Sequence, residues 1–157
     1  MIDKITLDRI ELLHPKIKEE AKALYSEICE TLSNGVICRF SHTLRTIDEQ
    51  NALYSKGRSI KGQVVTNAKG GQSYHNFGLA IDIVLIIDGK ATWERGKDFD
   101  RDGQPDFMEV VKIFEKYGWF WGGKFRTFKD YPHFEKTFGY TCKQLVNKEK
   151  IGNYPNI

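Results

Sequence analysis

The sequence predicts an α+β domain with a small, largely antiparallel central sheet flanked by helices. Three observations carry this. The first third of the chain repeats apolar residues at helical spacing, Leu7, Ile10, Leu13 and Ile17. From Val36 onward, strand-like and helix-like runs are mixed. The apolar run Ile81–Ile87 leads straight into Asp88-Gly89, a hairpin turn that joins antiparallel neighbours.

The elements follow in order. Pro15 cannot sit inside a helix but suits the start of one, so a short helix stops before it and a second begins there. The second runs to about Leu32, where Ser33-Asn34-Gly35 ends it. Val36–Ser41 reads as a strand. Thr46-Ile47-Asp48-Glu49 is a capping box that opens a helix closing near Gly57. Residues 59–74 hold three glycines among polar residues and read as a long loop, a length that in compact domains usually serves function. Ile81–Ile87 is a buried strand, and a polar, aspartate-rich stretch follows from Glu94 to Gln104. Asp106–Gly118 is a helix with Phe107, Val110, Val111 and Phe114 on one side. Trp119–Trp121 and Tyr131–Phe134 are short strands around a turn at Gly122-Gly123. A last helix begins at Thr141, with Gln144 completing a capping box, and the tail from Gly152 to Ile157 reads as irregular.

Bulk composition bounds the function. At 157 residues the chain is expected to form one domain, 1–157, with a core large enough to fold without a disulfide or metal staple. Hydrophobic residues at 40% and charged residues at 29% exclude a disordered chain. No apolar run approaches the ~20 residues of a membrane span, so no membrane insertion is expected. A net charge of +3 is too mild for a nucleic-acid partner, though it favours approach to an anionic surface such as a cell wall. Cys29, Cys38 and Cys142 form no CxxC pair and read as free thiols of a chain made in a reducing cytosol. Met1–Ile5 shows no basic segment leading into an apolar core, so no secretory signal is expected.

The chemistry concentrates in Ser73–Asp82 and Asp130–Glu135. A catalytic zinc usually takes three His or carboxylate ligands and keeps a fourth position for water. His75, Asp82 and His133 can supply that set. Gly78 permits a bend between His75 and Asp82, and Pro132 forces extended backbone ahead of His133. Asp130 then remains as an acid beside the metal, suited to the role of general base. Taken one at a time, each of these histidines is better explained by a structural role.

A second metal pattern lies in Asp98–Glu109. It fits D-x-D-x-D-G-x₅-E, the spacing of a calcium loop, with Asp98, Asp100 and Asp102 as side-chain ligands, Gln104 by its carbonyl, Asp106 through water and Glu109 bidentate. Its setting is unusual. Pro105 stands where an aliphatic residue normally pairs with a partner loop, and Arg95-Gly96-Lys97 is a poor helix. The same acids also read as an ordinary acidic helix start with Asp106 as N-cap.

The pattern Ser-x-His-x-x-Gly-x-Ala-x-Asp, followed by Trp-x-Trp-Gly-Gly and Asp-x-Pro-His-Phe, resembles the zinc D-Ala-D-Ala carboxypeptidase and L-Ala-D-Glu endopeptidase family, which also includes phage endolysins. Arg45-Thr46, Gln50, Leu53-Tyr54, Gly57-Arg58 and Val65–Gly71 extend the likeness, so that it covers about residues 36–140. The resemblance implies a Hedgehog/DD-peptidase-like fold, zinc on His75, Asp82 and His133, Asp130 as catalytic base, and Arg45 as the cation facing the oxyanion. It places Ser73, Gln50 and Trp121 with Arg45 on the substrate side. Family dipeptidases carry glutamate at the Asp130 position and many endopeptidases carry aspartate, which points to an L-alanyl-D-glutamate endopeptidase acting on peptidoglycan stem peptides. A D,D-carboxypeptidase and an inactive zinc-stabilised wall-binding domain are the alternatives. The expected setting is a monomeric endolysin made in the cytoplasm and released to the wall through a holin-type lesion, with no separate wall-binding module.

Overall fold

The computed structural model describes residues 1–157. In chain order the elements are α1 (Lys4–Ile10), α2 (Pro15–Thr31), β1 (Ile37–His42), α3 (Ile47–Ser55), β2 (Ala80–Ile87), β3 (Lys90–Thr92), α4 (Asp106–Lys116), β4 (Phe120–Trp121), β5 (His133–Glu135), α5 (Cys142–Val146), β6 (Lys150–Ile151) and β7 (Tyr154–Pro155). Short 3₁₀ turns at Tyr74–Phe77 and Gly122–Lys124 complete the set. The α+β class with a small antiparallel sheet is the one expected. No helix is long and apolar enough to cross a membrane.

The helices begin where the side chains can cap them. Asp3 caps α1, accepting from the Thr6 backbone N–H at 3.1 Å, and the same carboxylate pairs with Arg39 of β1 at 2.8 Å. Pro15 opens α2 as expected, with His14 Nδ1 accepting from the Lys16 N–H. Thr46 caps α3, but half of the expected capping box is absent: the Glu49 carboxylate takes the Thr46 hydroxyl rather than the Thr46 backbone N–H.

The main sheet runs β1-β2-β5-β4, all antiparallel. The second edge of β2 is divided. β5 pairs along Ala80–Asp82, and β3 returns through the Asp88-Gly89 turn to pair along Leu85–Ile87. Asp88 and Gly89 both have positive φ, 49° and 76°, the geometry a tight hairpin demands. Strand periodicity then sorts the side chains. Ile81, Ile83 and Leu85 of β2 and Phe134 of β5 enter the core under α2 and α4. Phe134 stacks on Phe114 of α4 with ring centroids 3.9 Å apart. Each such buried side chain contributes about 1.5–3 kcal/mol. By the same alternation Asp82, His133 and Glu135 are turned to the other face, away from α2 and α4.

Two expectations need correction. The tail is not irregular: β6 and β7 form a hairpin, fastened by His14 Nε2 against the Pro155 carbonyl at 2.7 Å and by the Tyr154 hydroxyl donating to the Leu12 carbonyl at 2.8 Å. Asp106 is not the N-cap of α4. Pro105 holds that place, and the Asp106 carboxylate instead accepts from the Phe99 N–H at 2.6 Å. The three cysteines are free, and burial pushes the Cys38 thiol well above its ordinary pKa.

Candidate active site

On the face of the sheet opposite α2 and α4, a cleft of about 350 Å³ has His75, Asp82, His133, Asp130, Arg45 and Ser73 in its wall. Sheet register places two of the donors. Asp82 of β2 lies directly opposite His133 of β5, so both side chains rise on the same face. His75 arrives from the Tyr74–Phe77 turn. Ser73 caps that turn, its Oγ accepting from the His75 N–H at 3.3 Å. Gly78 ends it in the left-handed region at φ 67°, and a Cβ there would lie 2.6 Å from the His14 nitrogen. Asp130 and His133 flank a tight turn in which the His133 N–H donates to the Asp130 carbonyl at 3.2 Å. Gly122 lets that turn close, because a side chain there would collide with the Asp130 carbonyl.

The donor atoms are selected by what lies behind them. His75 Nδ1 is 2.7 Å from the Thr43 carbonyl, which can only accept, so Nδ1 carries the hydrogen and Nε2 presents its lone pair. That Nε2 is buried and has no hydrogen-bond partner; Asp82 Oδ1 lies 3.2 Å away, outside hydrogen-bonding alignment. His133 is turned the other way. Its Nε2 meets Glu135 at 2.9 Å and its Nδ1 faces Asp82 Oδ1 at 3.0 Å. One atom from each of His75, Asp82 and His133 falls within 4.8 Å of the others. An orphaned buried imidazole nitrogen and a mixed nitrogen/oxygen trio, each imidazole backed by an acceptor, fit a zinc ion.

Electrostatics agree with that fit. Burial works to raise the Asp82 pKa, but the hydrogen bond with His133 and the closeness of the two imidazoles override it and hold the carboxyl well below the carboxylate range. Burial works to lower His133, yet Asp82 and Glu135 raise it to about 9, so the pocket favours positive charge. Asp130 stands at the rim. Its carboxyl is held above the ordinary range, first by withdrawal from bulk water at the cleft wall and then by the Asp82 charge.

Arg45 is fixed to the His75 turn by backbone. Its N–H donates to the His75 carbonyl at 3.0 Å, and Asn76 Nδ2 donates to the Arg45 carbonyl at 2.9 Å. Two expected substrate contacts are not in the cleft. Gln50 is fully buried, its Oε1 accepting from Arg45 at 3.1 Å and its Nε2 donating to the Ala68 carbonyl at 2.8 Å. It holds Arg45 and the 59–74 loop in place. Trp121 lies behind the site, its Nε1 donating to the Tyr131 carbonyl at 2.7 Å. The sequence reasoning missed Glu135, Asn76 and Thr43. Glu135 was detectable, since it sits two residues after His133 and therefore on the same strand face. The roles of Thr43 and Asn76 arise only from contacts 32 and 31 residues away.

A family model described as D-alanyl-D-alanine carboxypeptidase, of the M15 peptidases, matches residues 66–136. The chain is 43% identical over 124 residues to the peptidoglycan L-alanyl-D-glutamate endopeptidase CwlK of Bacillus subtilis (strain 168), across 78% of this chain and 72% of that protein. This chain belongs to the M15 peptidase family. As an M15 peptidase it is a metallopeptidase. The crystal structure of the Serratia marcescens L-Ala D-Glu endopeptidase ChiX shares the fold, with a TM-score of 0.57 at 21% identity, covering 87% of this chain and 90% of that one. The matched segment of the M15 peptidase contains His75, Asp82, Asp130 and His133 but stops short of Arg45. Arg45 enters the site through the Asn76 and His75 contacts described above.

Proposed function

We propose that the chain is a zinc-dependent endopeptidase that cuts the L-alanyl-D-glutamate bond of peptidoglycan stem peptides. The observation that carries it is the orphaned His75 Nε2 facing Asp82 and His133 at the floor of a cleft rimmed by an acid and an arginine. The bond cut is read from CwlK, at 43% identity. His75, Asp82 and His133 would hold the zinc, which when bound supplies Lewis acidity toward a peptide carbonyl and acidifies water.

The chain's own residues do the rest. Asp130 accepts a proton from the attacking water, and its raised pKa brings it nearer the neutral range in which a general base works best. Arg45, steadied by Gln50, presents a fixed cation to the oxygen that gains negative charge as the carbonyl becomes tetrahedral. Asp130 then delivers its proton to the leaving amine as the carbon–nitrogen bond breaks. Ser73 exposes part of its side chain in the same wall, where it meets substrate while its oxygen caps the His75 turn. Phage lysis is the setting the resemblance implies, and the reaction there is the same one.

Digestion of purified peptidoglycan with the zinc-loaded chain, followed by mass spectrometry of the products, tests this. New D-glutamyl or isoglutaminyl amines are expected. Released D-alanine would instead establish the carboxypeptidase that the family description names. An unchanged digest would leave a wall-binding domain.

A further inference from the structure

The rings of Phe120, Phe125 and Phe128 take no part in the chemistry above, yet they are gathered beside it. β4 is an edge strand of the main sheet. Phe120 lies directly opposite Glu135, so its ring rises on the face that carries Asp82 and His133. Phe125 folds back against it. The two rings are stacked with centroids 5.6 Å apart, and Phe125 also lies 5.8 Å from the His133 ring. The result is an aromatic shelf that begins at the cleft wall and runs outward over the sheet edge. Phe120 is 47% exposed, and Phe128, two residues before Asp130, is 80% exposed. Core packing does not account for rings held in water beside a cleft, and apolar patches of this kind mark contact surfaces.

The shelf is held rigidly. Lys129 Nζ donates to the Gly123 and Phe125 carbonyls, each at 3.2 Å. The Gly122 carbonyl accepts from the Asp130 N–H at 3.0 Å and from the Phe125 N–H at 3.2 Å. Lys124 pairs with Glu115 of α4. A Cβ on Gly123 would meet the Trp121 ring at 2.4 Å, so the turn closes only with glycine there. A surface fixed in this way loses little freedom when a ligand settles on it.

The chemistry of the proposed cut says what settles there. In a stem peptide the L-alanine is joined through a lactyl group to an amino sugar of the glycan strand. Cutting the bond after that alanine leaves the sugar two residue lengths, about 7 Å, from the carbonyl under attack. A sugar ring is polar at its rim and bears C–H groups on its faces. Those C–H groups carry partial positive charge and suit the negative face of an aromatic ring. We propose that the Phe120–Phe125 shelf, with Phe128, is a subsite for the glycan sugar that bears the stem peptide. The subsite rests on the endopeptidase reading: a carboxypeptidase cuts at the far end of the stem, out of reach of that sugar.

Two substrates test it with the zinc-loaded full chain, the free stem peptide and the same peptide carried on its disaccharide. The disaccharide form is expected to be cut with about tenfold higher kcat/KM, the gain lying in KM. Phe120→Ser is expected to bring that ratio close to one, and Phe120→Tyr to keep it. Phe128→Ser, at the most exposed ring, is expected to lower the ratio about threefold without risk to the fold. Phe138→Ser removes an exposed ring elsewhere, with Lys16 over it, and is expected to leave the ratio unchanged. Saturation-transfer NMR with the disaccharide alone reads the contact without cleavage. Transfer to the sugar C–H protons is expected, and its loss in Phe120→Ser. Transfer with neither substrate cut would uphold the sugar contact while removing the endopeptidase reading. Equal kcat/KM for the two substrates, a ratio unchanged in Phe120→Ser, or no transfer to the sugar would each overturn the subsite.

Discussion

Two clusters of titratable side chains are assembled in opposite ways. The His75–Asp82–His133 cluster draws its members from a 3₁₀ turn and two strands, and sheet register brings them together. The Asp98–Glu109 cluster comes from twelve consecutive residues folded back on themselves. The first offers nitrogen and oxygen, each imidazole is backed by an acceptor, and it opens on a cleft. The second offers oxygen alone. A site that performs chemistry needs its donors locked from behind and one side left free. A site that only holds a loop needs neither.

The sharpest way to break the comparison is at the first cluster. His75→Ala is expected to lose bound zinc and all detectable peptidase activity together; metal analysis and a peptidoglycan digest on the same sample check this. Asp130→Asn is expected to keep zinc and lose about 10²- to 10⁴-fold in kcat. Retention of most of its turnover would remove Asp130 from the proton transfers. Glu135→Gln should keep a neutral partner on His133 Nε2 but weaken zinc about 10- to 100-fold, read by competition with a chelator.

The smallest effect lies outside both clusters and shows what a carboxylate does when a protein cation serves it. Asp3 caps α1 and pairs with Arg39, and the Arg39 hydrogen bond outweighs burial to hold its carboxyl below the usual range. Asp3→Asn keeps a competent cap but weakens the pairing with Arg39, and is expected to cost about 1 kcal/mol near neutral pH. Because the native pKa lies below the unfolded value of about 3.9, the contribution is complete above that value and fades as the pH falls through the native pKa. Denaturant midpoints of both proteins should therefore differ most near pH 7, and the difference should shrink as the pH is lowered below the ordinary carboxylate range.

What the sequence discloses follows from how local each feature is. The α4 boundaries, the Asp88-Gly89 hairpin and the Thr141 cap rest on neighbours within a few residues, and all were legible. The trio His75, Asp82 and His133 spans 59 positions, and residue types alone supported it only weakly. A patterned family motif supplied what spacing could not. Gln50 and Trp121 show the limit of that help. A motif tells that a polar or aromatic side chain matters near a site, but burial decides whether it meets substrate or holds its neighbours. The tail hairpin was missed because its stability comes from contacts with His14 and Leu12, more than 140 residues upstream.

The most direct test of the central claim is anomalous diffraction at the zinc edge from crystals of the zinc-loaded chain. The expected result is one strong peak bounded by His75 Nε2, a carboxylate oxygen of Asp82 and His133 Nδ1, with Glu135 still on His133 Nε2. A peak only in the Asp98–Glu109 loop, or none between the two imidazoles, would contradict it.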